Sequence, residues 1–87
     1  MIGGIVKETN TIKEGVEIVV EDEGELLSVE VKVTAESRSV SEGDSIWWQG
    51  RKAYWTPRNK YGRIQGNASD IQLYRIGYSR IPRSVLS

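Results

Sequence analysis

The pattern that most constrains this chain is a strict alternation of apolar and polar residues in its N-terminal half. In the segment Val29-Glu30-Val31-Lys32-Val33-Thr34 every second side chain is a valine, and residues 16–20 repeat the pattern upstream. A period of two is typical of β-strands that have one buried side and one solvent-facing side. The turn-forming residues Asp22-Glu23-Gly24-Glu25 lie between the two runs, so residues 16–34 are predicted to form a β-hairpin.

The rest of the chain also divides into short strands and turns. We predict a first strand from Gly3 to Thr9 followed by a turn at Asn10-Thr11, an aromatic hairpin over residues 47–55, and a last strand over residues 71–76. Between and after them, residues 57–70 are predicted to form a long polar loop and residues 80–87 a basic tail. Because no segment has the pattern of an amphipathic helix, the 87 residues are predicted to form one all-β domain. Its expected architecture is a small barrel, SH3-like or OB-like, or a compact sandwich of antiparallel hairpins.

The composition narrows the chemistry. The chain has neither cysteine nor histidine, so disulfides, thiolate metal sites and the usual general base near neutral pH are excluded. An enzyme is therefore disfavoured, and we predict no catalytic residue, metal or cofactor. The chain has no apolar run of membrane-spanning length and no secretory signal at its start, which predicts a cytoplasmic protein without a membrane partner.

Charge and aromatic residues are unevenly distributed along the chain. Residues 1–44 contain four basic and eleven acidic residues, whereas residues 45–87 contain eight basic residues and one acidic residue. All seven aromatic residues lie between Trp47 and Tyr78. This asymmetry indicates an anionic partner for one surface, or head-to-tail association of unlike surfaces. The alternative is that the strands of both halves interleave in one sheet and that their charges form cross-strand pairs.

The aromatic hairpin is the main candidate site. If its turn is Gln49-Gly50, Trp48 faces Arg51 and Trp47 faces Lys52, and a four-residue loop from Gln49 to Lys52 leaves the same residues on the same faces. In both cases the alternation of strand residues assigns two faces, an apolar one with Ile46, Trp48, Ala53 and Trp55, and a mixed one with Ser45, Trp47, Lys52 and Tyr54. The apolar face is predicted to be core. On the mixed face, Trp47 and Tyr54 with Lys52 beside them are typical of a platform for nucleobases, with phosphate contacts expected from Arg58, Lys60 and Arg63. The alternative is that Trp47 and Tyr54 are buried in the core or against another subunit.

Two resemblances concern the same region. The stretch Gly43-Asp44-Ser45-Ile46-Trp47-Trp48-Gln49-Gly50, with Ala53-Tyr54-Trp55-Thr56-Pro57 and Arg75-Ile76-Gly77-Tyr78-Ser79, resembles small uncharacterised β proteins of phages and mobile elements, which implies an accessory protein. The order of Gly43-Asp44, Trp48-Gln49-Gly50 and Ile71-Gln72-Leu73-Tyr74 is similar to that in the plasmid-type dihydrofolate reductase, a tetramer of SH3-like barrels. That resemblance implies that Gln72, Leu73 and Tyr74 line a pore that binds folate and a nicotinamide cofactor.

Three functions follow as expectations. The first is a non-enzymatic module that binds nucleic acid or a nucleotide through Trp47, Lys52, Tyr54, Arg58, Lys60 and Arg63. The second is a protein-interaction or assembly protein that forms a homo-oligomer, since a domain of this size gains stability from association. The third, more distant, is the reductase activity that the second resemblance implies.

Overall fold

Six antiparallel strands close into a barrel in the computed structural model, which describes residues 2–57 and 71–81. The strands are β1 (Ile2–Ile12), β2 (Gly15–Asp22), β3 (Glu25–Val31), β4 (Ser45–Gln49), β5 (Lys52–Thr56) and β6 (Ile71–Ile81). Their order around the barrel is β1-β2-β3-β6-β5-β4, so β2 and β3 lie opposite β5 and β4. The prediction of an all-β barrel is confirmed. The helical content of the described segments is one 3₁₀ turn at Ser37–Ser39, and none of it is long and apolar enough to cross a membrane.

The alternating residues of the N-terminal half fill the barrel. The hairpin predicted over residues 16–34 is β2 and β3, whose two-residue turn is Glu23–Gly24. Its second strand is shorter than predicted, because β3 ends at Val31 and residues 32–34 lie beyond it. Its inward side chains meet those of β4, β5 and β6 in one hydrophobic cluster: Val6, Val16, Ile18, Val20, Leu27, Val29, Val31, Val40, Ile46, Trp48, Ala53, Trp55 and Leu73. The apolar face predicted for the aromatic hairpin is part of this cluster, as expected.

The strands β1 and β6 are longer than predicted, at 11 residues each, because each belongs to two parts of the barrel wall. The first residues of β1 pair with β4 up to Ile5, and the strand then pairs with β2 as far as Ile12. Likewise β6 pairs with β5 before its register with β3 shifts beside Ile76, and it continues to Ile81. The predicted turn at Asn10-Thr11 is thus strand, and the first two residues assigned to the basic tail belong to β6. The register of β1 with β2 also shifts, between Val6 and Glu8. Irregularities of this kind, such as β-bulges, interrupt the period of two by which the sequence predicts a strand.

Candidate functional site

The hairpin β4–β5 turns one residue later than predicted. Its turn is Gly50–Arg51, and Trp47 pairs with Tyr54 while Gln49 pairs with Lys52. Gly50 has a φ of 60°, which suits the first central position of a type II′ turn. The Gln49-Gly50 turn, with Trp48 facing Arg51, is therefore wrong. The observed register is the one that the alternative four-residue loop predicts, because Trp48 pairs with Ala53. The predicted faces are nevertheless confirmed. The observed register differs from that of a Gln49-Gly50 turn by two positions, and a shift of two residues leaves every side chain on the same side of the sheet.

Trp47 and Tyr54 lie together on the outside of the barrel. Their ring centroids are 4.2 Å apart and their planes are inclined by 26°, which is a stacked arrangement. Both residues are partly exposed, whereas their neighbours Trp48 and Trp55 are buried. A cross-strand stack of this kind holds two rings in fixed positions before any ligand arrives, so the cost of ordering them on binding is small.

The strand β6 extends the same outer surface. Tyr54 pairs with Gln72, and Lys52 pairs with Tyr74, so the side chains of each pair lie on one side of the sheet. We call this surface the aromatic face; it consists of Trp47, Lys52, Tyr54, Gln72 and Tyr74. Three of these residues, Trp47, Lys52 and Tyr54, were predicted as site residues from the sequence, and the structure brings them together.

Gly3 of β1 is part of the support for Trp47. The two residues pair across β1 and β4, and a Cβ atom on Gly3 would overlap the Cβ atom of Trp47 and the carbonyl oxygen of Ile46. A glycine here lets the two strands approach each other beside the tryptophan. Nothing in the sequence pattern around Gly3 signals this role, because it depends on a pairing between distant segments.

Arg51 and Arg75 hold the β4–β5 turn against β6. The Arg51 guanidinium donates a hydrogen bond from Nη1 to the phenol oxygen of Tyr74 at 3.0 Å. The backbone N–H of Arg75 donates to the carbonyl oxygen of Arg51 at 2.8 Å, and its Nε donates to the carbonyl oxygen of Gly50. The hydrogen bond with Tyr74 raises the pKa of Arg51 above its ordinary value. Sequence reasoning missed Arg51, Gln72 and Tyr74 as parts of this surface, although the alternation of β6 places Gln72 and Tyr74 on one side.

Two open grooves flank Tyr74. One has a volume of about 480 Å³ and is lined by Thr34, Glu36, Arg51, Lys52, Ile71, Gln72, Leu73 and Tyr74. The other has a volume of about 540 Å³ and is lined by Glu14, Lys32, Tyr74 and Ile76. Tyr74 is the residue that the two grooves share, and 46 % of it is exposed.

Acidic side chains occupy outward positions on the three strands that do not carry the aromatic face. The outward positions of β1, β2 and β3 carry the carboxylates that we call the acidic face: Glu8, Glu17, Glu21 and Glu30. Within residues 2–57 and 71–81, ion pairs join Lys7 to Glu21 at 3.8 Å and Arg80 to Glu25 at 3.4 Å. The cations Arg51 and Lys52 make no ion pair with any residue in these ranges. Cross-strand pairing therefore accounts for little of the charge asymmetry in this part of the chain. Carboxylates are also present beside Tyr74, since Glu36 lines one of its grooves and Glu14 the other.

Three predicted site residues, Arg58, Lys60 and Arg63, lie outside the described residues. Of the residues implied by the reductase resemblance, Gln72 and Tyr74 face outward and Leu73 is buried in the core. In the part of the chain that the structure describes, no three side chains of His, Cys, Asp or Glu are grouped as metal ligands.

Comparison with protein-family models, with curated proteins and with solved structures finds no match for this chain.

Proposed function

We propose that this protein binds single-stranded nucleic acid through the aromatic face. The observation that carries the proposal is the stacked, partly exposed pair Trp47 and Tyr54 on the outside of the barrel. Each base that stacks on an aromatic side chain contributes about 1–3 kcal/mol to binding, with little dependence on sequence. A duplex keeps its bases stacked on one another, so this platform favours unpaired strands.

The charges beside the platform support the same proposal. Lys52 lies on the aromatic face, and Arg51 is fixed at its edge by Tyr74. Both side chains are exposed and free of ion pairs within the described residues, so phosphates can approach them. The carboxylates of the acidic face lie on β1, β2 and β3 rather than on the strands of the aromatic face, which favours the approach of a polyanion to the aromatic face. Glu36 is the carboxylate that shares a groove with Arg51 and Lys52.

A titration of fluorescein-labelled dT12, followed by fluorescence anisotropy, tests the proposal. Trp47→Ala is expected to weaken binding about tenfold or more, and Trp47→Phe is expected to retain most of the affinity because it keeps a ring for stacking. Thr9→Ala, an exposed change in the part of β1 that pairs with β2 rather than with β4, is the matched control. Unchanged affinity in Trp47→Ala, or no binding by the unmodified protein, would contradict the proposal.

The salt dependence of the same titration counts the phosphate contacts. Each contact to a single strand contributes about −0.7 to the slope of log K against log salt concentration, so Arg51 and Lys52 together predict about −1.4. We expect a steeper slope if Arg58, Lys60 and Arg63 also bind phosphates. In that case the triple change of these residues to Gln should return the slope to the smaller value.

Self-association is a second candidate function, and the separation of charge favours it. An acidic face on one protomer complements the cations Arg51 and Lys52 of the next, which would assemble subunits head to tail. Sedimentation velocity at 20 mM and 500 mM NaCl tests this, with the mass expected to fall as salt screens the contact. A monomer at both concentrations would contradict it. The reductase activity remains a more distant prediction, which NADPH oxidation in the presence of dihydrofolate would test.

A further inference from the structure

We infer that Tyr74 is a second base-binding position, so that one strand spans from the Trp47–Tyr54 stack to the groove beside Tyr74. This inference rests on the proposed function and extends it from a single platform to a binding unit of two nucleotides.

The first support is the way in which Tyr74 is held. Its phenol oxygen accepts a hydrogen bond from Arg51, and its carbonyl oxygen accepts one from the backbone N–H of Lys32 at 2.8 Å. The residue is thus held by its backbone and by its phenol oxygen while 46 % of it stays exposed. Tyrosine has few rotatable bonds, so a ring that is already oriented loses little entropy when a base stacks on it.

The second support is the open space on both sides of the ring. Because Tyr74 lines two separate grooves, it stands between them, and a base can enter beside it. The first groove is lined by the apolar residues Ile71 and Leu73, and its polar groups include the Gln72 amide and the Glu36 carboxylate. The side-chain amide of Gln72 has two N–H donors and a carbonyl acceptor, which suits hydrogen bonds to the edge of a base.

The third support is the spacing and charge between the two positions. Tyr54 and Tyr74 are diagonal neighbours on β5 and β6, since Tyr54 pairs with Gln72, and diagonal neighbours are about 7–8 Å apart. This is roughly twice the 3.4 Å rise of stacked nucleotides, so the two bases would be held apart, each on its own ring. Lys52 pairs directly with Tyr74, which places its cation beside the phosphate that joins the two nucleotides.

The experiment compares a mononucleotide with a dinucleotide. Thymidine 5′-monophosphate and pTpT are titrated into ¹⁵N-labelled protein, and dissociation constants are obtained from amide chemical shifts. In the unmodified protein the dinucleotide is expected to bind about tenfold or more tightly than the mononucleotide, because a second stacked base contributes. In Tyr74→Ala the ratio of the two dissociation constants, mononucleotide to dinucleotide, is expected to fall to about one or two. Tyr74→Gln is measured in parallel as a polar replacement suited to an exposed strand position.

Tyr78→Leu is the matched control. Tyr78 is equally exposed and lies on the same strand, but its ring packs beside Trp48 rather than on the aromatic face. This variant is expected to keep the ratio of the unmodified protein. An equal loss of the ratio in Tyr78→Leu would overturn the assignment to Tyr74.

Trp47→Ala separates failure of this inference from failure of the proposed function. If Trp47→Ala weakens pTpT binding but both Tyr74 variants keep the ratio, the second position is wrong and the platform stands. If neither probe binds the unmodified protein, or if Trp47→Ala leaves pTpT binding unchanged, the proposed function fails and the second position fails with it.

Discussion

At the scale of single residues, Asp44 links the aromatic hairpin to the loop that precedes it. Its carboxylate is buried and accepts hydrogen bonds from the indole Nε1 of Trp55 and from the backbone N–H of Ser41, both at 2.9 Å. Its carbonyl oxygen accepts a third bond from the backbone N–H of Val6. A buried carboxylate is tolerated only when such donors replace water. Asp44 thereby fixes the start of β4 and one side of the hairpin that carries Trp47.

Replacing Asp44 should therefore be costly. In Asp44→Ala the buried indole N–H of Trp55 loses its acceptor, and we expect the free energy of unfolding to fall by about 2–4 kcal/mol. Urea denaturation followed by far-UV circular dichroism measures this. Glu42→Ala, in the same turn but exposed, should change it by less than about 0.5 kcal/mol. Equal effects of the two substitutions would show that the carboxylate is not a structural acceptor.

Substitution of Gly3 is expected to affect the candidate site directly. In Gly3→Ala the new methyl group meets backbone and Cβ atoms of β4, so we expect a loss of about 1–3 kcal/mol in stability, as in other overpacked positions. A displaced Trp47 should also weaken dT12 binding. Gly77→Ala is the control, because a Cβ there contacts only the flexible Glu30 carboxylate, at 3.7 Å. If both alanines are tolerated equally, β1 does not constrain Trp47.

At the scale of elements, local pattern predicts most strands and fails where two strands bend. The hairpin over residues 16–34 and the two faces of the aromatic hairpin follow from the alternation alone. The ends of β1 and β6 do not, since each strand changes partner within its length. The contributions of Gly3, Arg51 and Tyr74 to the site depend on contacts between segments that are distant in the sequence. A sequence read in short windows therefore predicts Trp47, Lys52 and Tyr54, which share a hairpin, but not the β6 residues beside them.

The β2–β3 turn offers a stabilising substitution at this scale. Glu23 has a φ of 51° and is the only non-glycine residue with a positive φ in the described ranges, while Gly24 has a φ of 83°. Two positive φ angles characterise a type I′ turn, for which Asn-Gly is strongly preferred. We expect Glu23→Asn to raise stability by about 0.5–1 kcal/mol, or about 2–8 °C in the thermal midpoint. Calorimetry measures the midpoint.

The neighbouring turn provides the control for this substitution. Glu14 lies in the β1–β2 turn and has no positive φ, so Glu14→Asn relieves no strain there. A gain in Glu14→Asn as large as that in Glu23→Asn would mean that the removal of an acidic charge, rather than the turn geometry, is the cause.

At the scale of the whole molecule, the ring order of the strands converts a charge asymmetry along the chain into one across the barrel. The acidic strands β2 and β3 lie opposite β5 and β4, although β1 borders β4 and β3 borders β6. A pair of unit charges about 20 Å apart interacts by only about 0.2 kcal/mol in water. The repulsion between the acidic face and a bound polyanion is the sum of many such weak charge–charge interactions, and salt screens it.

That sum predicts a salt-dependent gain of affinity when the acidic face is neutralised. The double change Glu8→Gln and Glu30→Gln removes two outward carboxylates that form no ion pair within the described residues. At 10 mM ionic strength the Debye length is about 30 Å, and we expect dT12 to bind about two- to fivefold more tightly than to the unmodified protein. At 150 mM the Debye length is about 8 Å, and the affinity should be unchanged.

The double change to Asp keeps the charge and is the control at both concentrations. An equal gain at both salt concentrations would mean that the strand lies close to Glu8 and Glu30, and the aromatic face would then not be the binding surface.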